Sequence, residues 1–566
     1  MTRAAFSTLL CCLVATTASA DTYPRQPAVD AWHYVFRLEL SDTSPEITAT
    51  ATVDVRFTRA GTGGVVLDLA SPADGKGMTV TGATVEGRPI VYRHEHNRLT
   101  LTAPGPVAVD DHVRFTIAYH GVPANGLRLI QNKYGEWSAF SENWPNRARE
   151  WLPMIDHPYD KATSEFIVTA PARYQVVANG LLQSTTDLGD GRRVTHWKQS
   201  VPIASWLNAI GVEQFAVHYA GRVDGIELSS WVPHQDRDLA TVYFEGPARK
   251  ALAFYGEHVG PYAYEKLANV AAAGIRGGTE HASAIFYGED GVRNEPATSL
   301  VAHEIAHQWF GNAVTERDWD DVWLSEGFAT YFTHLFIEHT QGRDAMAAGL
   351  QRDRNTVFAF ERDNPGLAIV HDNLSDMSKV LNRLVYQKAG WVLHMLRQQI
   401  GIEAFWSGIR DYYRTFRDRN ASSADFERVM ETASAQDLTW FFRQWLHRAA
   451  SPVIRGTWRY DPAAKQIVVS LRQTQSGDPY RLLIDIGVTE AVSPRSAPDP
   501  RPGVAAPSAL ERTRVERLTL TQRDQTFTIA ADAAPLDLTL DPNTTTLMDG
   551  ALAAAPSSTG APKEQP

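Results

Sequence analysis

The stretch "SLVAHEIAHQWFGN", Ser299–Asn312, sets two histidines four residues apart, with a glutamate beside the first, among apolar neighbours. Burying a polar side chain without a partner costs about 2–7 kcal/mol, so something in the folded chain must satisfy all three. In a helix His303 and His307 project from one face about 40° apart, close enough for both rings to reach one metal ion. Ala302, Ile305, Ala306 and Trp309 form an apolar stripe that buries one side, which turns the histidine face toward a cleft. Asn294 as a cap and Pro296 in the first turn, where a missing N–H does no harm, mark the expected start of this helix. For the pentapeptide alone, the competing reading is a helix whose histidines are satisfied by neighbouring side chains.

The next polar group in a comparable setting is Glu326, in "WDDVWLSEGFATYF", eighteen intervening residues after His307. Two histidines and one carboxylate leave a zinc coordination position open, as a hydrolytic site requires. A first-turn glutamate is also favoured by the helix dipole in solvent. The aromatic neighbours Trp319, Trp323 and Phe328 argue for burial instead.

Outward from this centre, the 566 residues are too many for one core, and about 100–200 residues per domain predicts three or four units. The first twenty residues, with Arg3, an apolar run from Phe6 to Val14 and Ala18-Ser19-Ala20, read as an export leader cleaved after Ala20. Both cysteines, Cys11 and Cys12, lie within it, so the mature chain has neither thiol nor disulfide. A lipid anchor on Cys11 is disfavoured by the bulky Leu10 before it. The net charge of −11 is spread without long like-charge runs, which argues against a nucleic-acid partner. After the leader, no stretch approaches the roughly twenty apolar residues of a membrane span.

From residue 21 to Val223, short alternating runs such as "HYVFRLEL", "ITATATVDVRF" and "HVRFTIAYHG" predict a β domain. From 224 to 450 the period is helical, through "WLSEGFATYFTHLFIEHT", "YQKAGWVLHMLRQQI" and "EAFWSGIRDYYRTF". Alternation returns over 451–548, which predicts a small β-sandwich interrupted by the proline-rich loop Ser493–Ser508. The tail 549–566 carries too little bulk to order itself. No internal repeat is present.

The string HEIAH, eighteen residues, then a glutamate within "WLSEGFA" resembles the gluzincin zinc aminopeptidase family of aminopeptidase N and leukotriene hydrolase. Further motifs follow in the family's order: "RAREWLPMIDHPYDKATSEFIVTAP", "IASWLNAIGVEQF" and "VYQKAGWVLHMLR". The resemblance runs from about Trp32 to Pro452, and implies a multidomain α+β protein with an N-terminal β-saddle and a thermolysin-like, mostly helical catalytic domain. It implies one zinc ion held by His303, His307 and Glu326, with Glu304 as general base and Tyr386 as donor to the oxyanion. "GGTEHAS", Gly277–Ser283, stands where the family has an exopeptidase loop. There Gly277 and Gly278 allow close approach of an extended peptide, and Glu280 holds the substrate's α-ammonium. The loop departs from the family at Thr279 and His281. A second amine contact falls by counting on Trp144, with Glu142 and Asn143 adjacent. The family's long C-terminal helical domain is missing, as in a shortened bacterial-type member, and a β-sandwich in its place leaves the cleft more open.

The function implied is a zinc-dependent aminopeptidase acting on peptides with a free N-terminus, exported to the periplasm or beyond. The alternatives are an endopeptidase or epoxide hydrolase on the same scaffold, and a binding module that has lost catalysis. An amine-anchoring carboxylate at Glu280 separates the first from the second, and the joint presence of His303, Glu304, His307, Glu326 and Tyr386 argues against the third.

Overall fold

The computed structural model describes residues 21–370, 374, 376–492 and 510–555. The leader 1–20, the loop Ser493–Ser508 and the end of the tail, 556–566, lie outside the described residues.

The alternating runs of the N-terminal third pair into an eight-stranded sheet. Its spatial order is Leu181–Asp187, Arg192–Ala204, Lys161–Pro171, Val29–Ser41, Ser44–Phe57, His112–Val122, Gly77–Val85 and Arg88–Pro89. Val29–Ser41 runs parallel to Lys161–Pro171 and antiparallel to Ser44–Phe57. Alternate side chains, among them Tyr34, Phe36, Leu38, Ala51, Val53 and Val55, point to one buried face, the expected outcome of a period of two. A smaller sheet of Leu127–Gln131, Trp137–Ser141, Gln175–Ala178 and Ile210–Glu213 joins it to the next unit.

That unit begins earlier than Val223. Phe215–Val223 pairs with Ile226–Pro233, so the expected boundary between 223 and 224 falls in a hairpin turn. Both strands belong to a five-stranded sheet with Lys266–Ala272, Ala284–Gly288 and Gly278–Thr279. Lys266–Ala272 is parallel to strands on both sides and buried along its whole length. Apart from Lys266 and Asn269, it therefore reads as an apolar run rather than an alternating one. Ala268 and Val270 face the N-terminal core, while Leu267 and Ala271 face the helical core, so this sheet is the wall the two units share.

The helices are α1 (Gly246–His258), α2 (Thr298–His307), α3 (Trp323–Gln341), α4 (Arg343–Asp363), α5 (Ala389–Ile400), α6 (Ile402–Phe416), α7 (Ser423–Ser434) and α8 (Thr439–Leu446). Helix α2 starts later than Asn294 and Pro296 imply. Ala297 occupies the cap without a side-chain bond, and its N–H is taken by Tyr243 O at 3.1 Å, so a tertiary contact replaces the expected cap. The loop after α2 is tied to the N-terminal sheet by Lys161, whose ammonium donates to Asn312 O at 2.9 Å and Ala313 O at 3.0 Å.

The C-terminal unit is two facing sheets, one of Val453–Asp461, Gln466–Gln473, Asp524–Ala530 and Asp549–Ala554, the other of Leu482–Val492, Leu510–Leu520 and Asp537–Leu540. Asp549–Ala554 corrects the expectation of an unordered tail from 549. It runs parallel to Val453–Asp461, and the ladder rather than side-chain bulk orders it. Ile467, Ile484, Ile486 and Leu547 of the sandwich share one core with α5 and α8.

Candidate active site

Helix α2 presents His303, Glu304 and His307, and the first turn of α3 presents Glu326. The two imidazole Nε2 atoms stand 3.2 Å apart. Glu326 Oε2 lies 3.6 Å from His303 Nε2 and 3.3 Å from His307 Nε2, and among the described residues no hydrogen bond is made to it. A tetrahedral ion with ligands at about 2.0–2.1 Å spans a triangular face of edge about 3.3 Å, so the three atoms are spaced to hold zinc. His307 Nδ1 faces Phe310 O at 3.2 Å and Ser325 Oγ at 3.0 Å. Donation from Nδ1 to the carbonyl leaves the Nε2 lone pair directed at the ion site.

The charges agree. Glu280, Glu304 and Glu326 are 6%, 4% and 4% exposed, three carboxylates withdrawn from water in one place. Burial alone would lower the proton affinity of His307, but the Glu280 and Glu326 carboxylates outweigh it and raise its pKa to about 10. A pocket with this surplus of negative charge calls for a cation.

Glu304 faces the glycine loop. A Cβ on Gly278 would sit 2.3 Å from the Glu304 carboxyl carbon, so no side chain fits at 278 without displacing that carboxylate. Gly277 beside it has φ +71°, the left-handed region that glycine occupies without cost. The two glycines therefore do more than admit a peptide; Gly278 makes room for Glu304. Burial, then the neighbouring Glu280, push the Glu304 carboxyl well above its usual pKa, and a raised proton affinity strengthens the carboxylate as a base. Gly278→Ala is expected to lower kcat about 10-fold or more while zinc stays at one per chain, measured by metal analysis beside steady-state kinetics. Parental kcat would show that Glu304 has another place to go.

The ligating atoms of Glu280, Glu304 and His307 lie within 4.8 Å of one another, so the loop carboxylate borders the ion site directly. Its backbone is held by two side chains that follow the histidines in the same stretch of sequence. Gln308 Nε2 donates to Glu280 O at 3.0 Å, and Asn312 Nδ2 to the same oxygen at 2.6 Å. Gln308 Oε1 accepts from Ser283 N at 2.9 Å, which closes the loop. Neither residue stands out in the sequence except by following His307, and both are fully buried.

Of the three adjacent candidates for a second amine contact, the structure separates each. Trp144 packs edge-on against Trp206 and Trp319, with ring centroids 4.5 and 4.8 Å apart. Asn143 donates to Asn208 O and accepts from Trp151 Nε1. Glu142 alone adds its charge to the field at Glu280, and its carboxylate is bound by Arg147 at 2.8 Å and Arg128 at 3.0 Å. His281, where the loop departs from the family, is fully buried edge-on to Phe286, and burial pushes its pKa down to about 3.

Tyr386 lies in a widened helical turn, Leu384–Lys388, that leads into α5. Its hydroxyl donates to Glu326 Oε1 at 2.8 Å, and burial followed by the Glu326 charge raises its pKa well above the usual phenol value. It stays a donor.

Residues 247–445 match the Peptidase family M1 domain and residues 31–207 the Peptidase M1 N-terminal domain. Glutamyl aminopeptidase of Rattus norvegicus is 26% identical over 361 residues, 61% of this chain and 38% of that protein. A probable aminopeptidase 1 of Saccharolobus solfataricus is 26% identical over 323 residues, 54% of this chain and 41% of its own length. The matched segment thus spans under half the length of either relative. Among solved structures, the M1 zinc metallopeptidase of Deinococcus radiodurans superposes with TM-score 0.64 at 25% identity, covering 75% of this chain and 95% of that one. A variant of it bound to a Tyr-Ser-Ala substrate gives TM-score 0.65. Both family domains are matched in order, and His303, Glu304, His307, Glu326 and Tyr386 all fall within the second; the chain belongs to peptidase family M1.

Proposed function

We propose that the protein is a zinc-dependent aminopeptidase that removes the first residue of peptides with a free N-terminus. The observation that carries this is the placement of Glu280, a buried carboxylate on a loop tied down by Gln308 and Asn312, at the edge of the ion site. When bound, zinc supplies Lewis-acid polarisation of the scissile carbonyl and lowers the pKa of water toward about 7. Glu280 pairs with the substrate α-ammonium and so sets which peptide bond comes to rest beside Glu304. Glu304 accepts the proton of the attacking water and passes it to the leaving amine. Tyr386 directs its O–H toward the developing oxyanion, giving up its bond to Glu326 as substrate enters.

The M1 relatives named as aminopeptidases support this reading over the endopeptidase and epoxide hydrolase alternatives. The test is a panel of aminoacyl amides with N-acetylated counterparts. Hydrolysis of the free amines with loss of at least about 10²-fold on acetylation is expected, the scale of losing a buried charged pair. Equal rates on both sets would overturn the exopeptidase assignment.

Export to the periplasm or beyond belongs to the same reading and rests on the leader "MTRAAFSTLLCCLVATTASA". Among the described residues no helix is long and apolar enough to cross a membrane. N-terminal sequencing of protein recovered outside the cytoplasm is expected to begin at Asp21; a first residue within 1–20 would refute the cleavage site.

A further inference from the structure

Resting on the reading of Tyr386 as the oxyanion donor, we propose that Lys388 is a positioning residue for Tyr386, and that it works by clamping their shared turn to the linker that enters the C-terminal β-sandwich.

Tyr386 and Lys388 belong to the same widened turn and point to opposite sides of it. On the inner side the turn is pressed against α3. A Cβ on Gly327, the residue after Glu326, would lie 2.5 Å from Ala389 Cβ and 3.3 Å from Val385 O. This contact sets how near the phenol comes to the ion site, but only from one direction. On the outer side Lys388 is completely buried. Its ammonium donates to Glu361 Oε1 on α4 at 2.9 Å and to Ala450 O at 3.0 Å. Ser451 Oγ donates to the same Glu361 oxygen at 3.0 Å. Ala450 is held in turn by the hydroxyl of Tyr480, at 2.9 Å, and has φ +63°, a left-handed conformation that residues with a Cβ rarely adopt.

A buried ammonium is an expensive way to fill space, since an apolar side chain of the same length avoids the cost of desolvating a charge. What the ammonium adds is direction: its acceptors come from α4 and from the linker, and they fix the outer face of the turn as Gly327 fixes the inner one. The sandwich braces α4 and α5 from behind. His394 Nε2 on α5 lies 3.0 Å from Thr544 O, and Arg354 on α4 binds Asp541 at 2.8 Å. The C-terminal unit thus packs behind the helix that carries Tyr386, where it can govern catalysis without touching the substrate.

The test is a double-mutant cycle of Lys388→Met and Tyr386→Phe, with kcat, KM, zinc content and thermal midpoint read for each variant. Tyr386→Phe alone should lower kcat about 10²–10³-fold. Lys388→Met alone should lower kcat about 10- to 100-fold, the effect of a misplacement near 1 Å, with KM changed less than about two-fold and zinc still stoichiometric. Combined with Tyr386→Phe, the lysine change should cost less than about a further two-fold, because the group it positions is gone. The same factor in both backgrounds, or parental kcat for Lys388→Met, overturns the proposal. Parental kcat for Tyr386→Phe overturns instead the donor role on which it rests. Should Lys388→Met fail to fold, Glu361→Gln with Lys388→Met leaves no unpaired buried charge and is read in the same two backgrounds.

Discussion

Glu304→Gln is expected to fold and to hold one zinc per chain while losing about 10³-fold or more of kcat, within the range for removing a positioned general base. The amide keeps the shape that Gly278 accommodates, so the close contact between loop and helix survives the change. Glu304 is not among the three convergent ligand atoms, so metal should stay. What disappears is proton acceptance. The carboxylate is suited to it because burial and Glu280 raise its proton affinity, and an amide has none to offer at neutral pH. A loss of 10³ corresponds to about 4 kcal/mol of transition-state stabilisation. Metal analysis, circular dichroism and kcat on one aminoacyl amide decide the matter. Near-parental kcat would assign the proton transfer elsewhere, and loss of zinc would mean that Glu304 is a ligand.

His307→Ala should abolish metal binding and activity together. In the proposed site His307 would supply one of three ligand atoms, and its Nδ1 contacts with Phe310 O and Ser325 Oγ fix the ring. Two remaining ligands hold zinc poorly, and the variant is expected to retain under about 0.1 zinc per chain after dialysis against a chelator that leaves the parent loaded. The substitution also removes the imidazole whose positive charge faces Glu280, Glu304 and Glu326 together when no ion is bound. The metal-free variant should therefore unfold at a lower temperature than metal-free parent at the same pH. Stoichiometric zinc in His307→Ala would sink the ligand assignment.

Most of the ion site is legible in the primary structure because its geometry is local. The spacing of His303 and His307 becomes a shared face as soon as residues 298–307 form a helix, and the fourth-residue repeat predicts that helix. Glu326 is readable for a related reason: it opens an apolar helix whose burial leaves its one early carboxylate nowhere to go but inward. Tyr386 is different. Tyr331, Tyr386 and Tyr412 all lie in amphipathic helical stretches, where periodicity prefers none of them, and only the resemblance of "VYQKAGWVLHMLR" singles out Tyr386. In the folded chain Tyr331 faces His394 and Tyr412 packs in an aromatic cluster, while Tyr386 alone of the three reaches Glu326.

What residue order could not supply are relations between distant segments. The alternation of Asp549–Ala554 is too weak to announce a strand; it becomes one because Val453–Asp461, nearly a hundred residues earlier, offers a free edge. The turn after Val223 looks like a boundary, but the hairpin across it joins a sheet whose other strands come later in the chain. Glu142 could serve as an amine contact by composition, and the two guanidiniums that bind it arrive from Arg128 and Arg147 only after folding. Periodicity and spacing decide which residues share a face of one helix or strand, because those relations depend on the geometry of a single element. The nearness of Gly278 to Glu304, and of Lys388 to Glu361 and Ala450, depends on how several elements pack, and that is settled by shape and buried charge across the whole molecule.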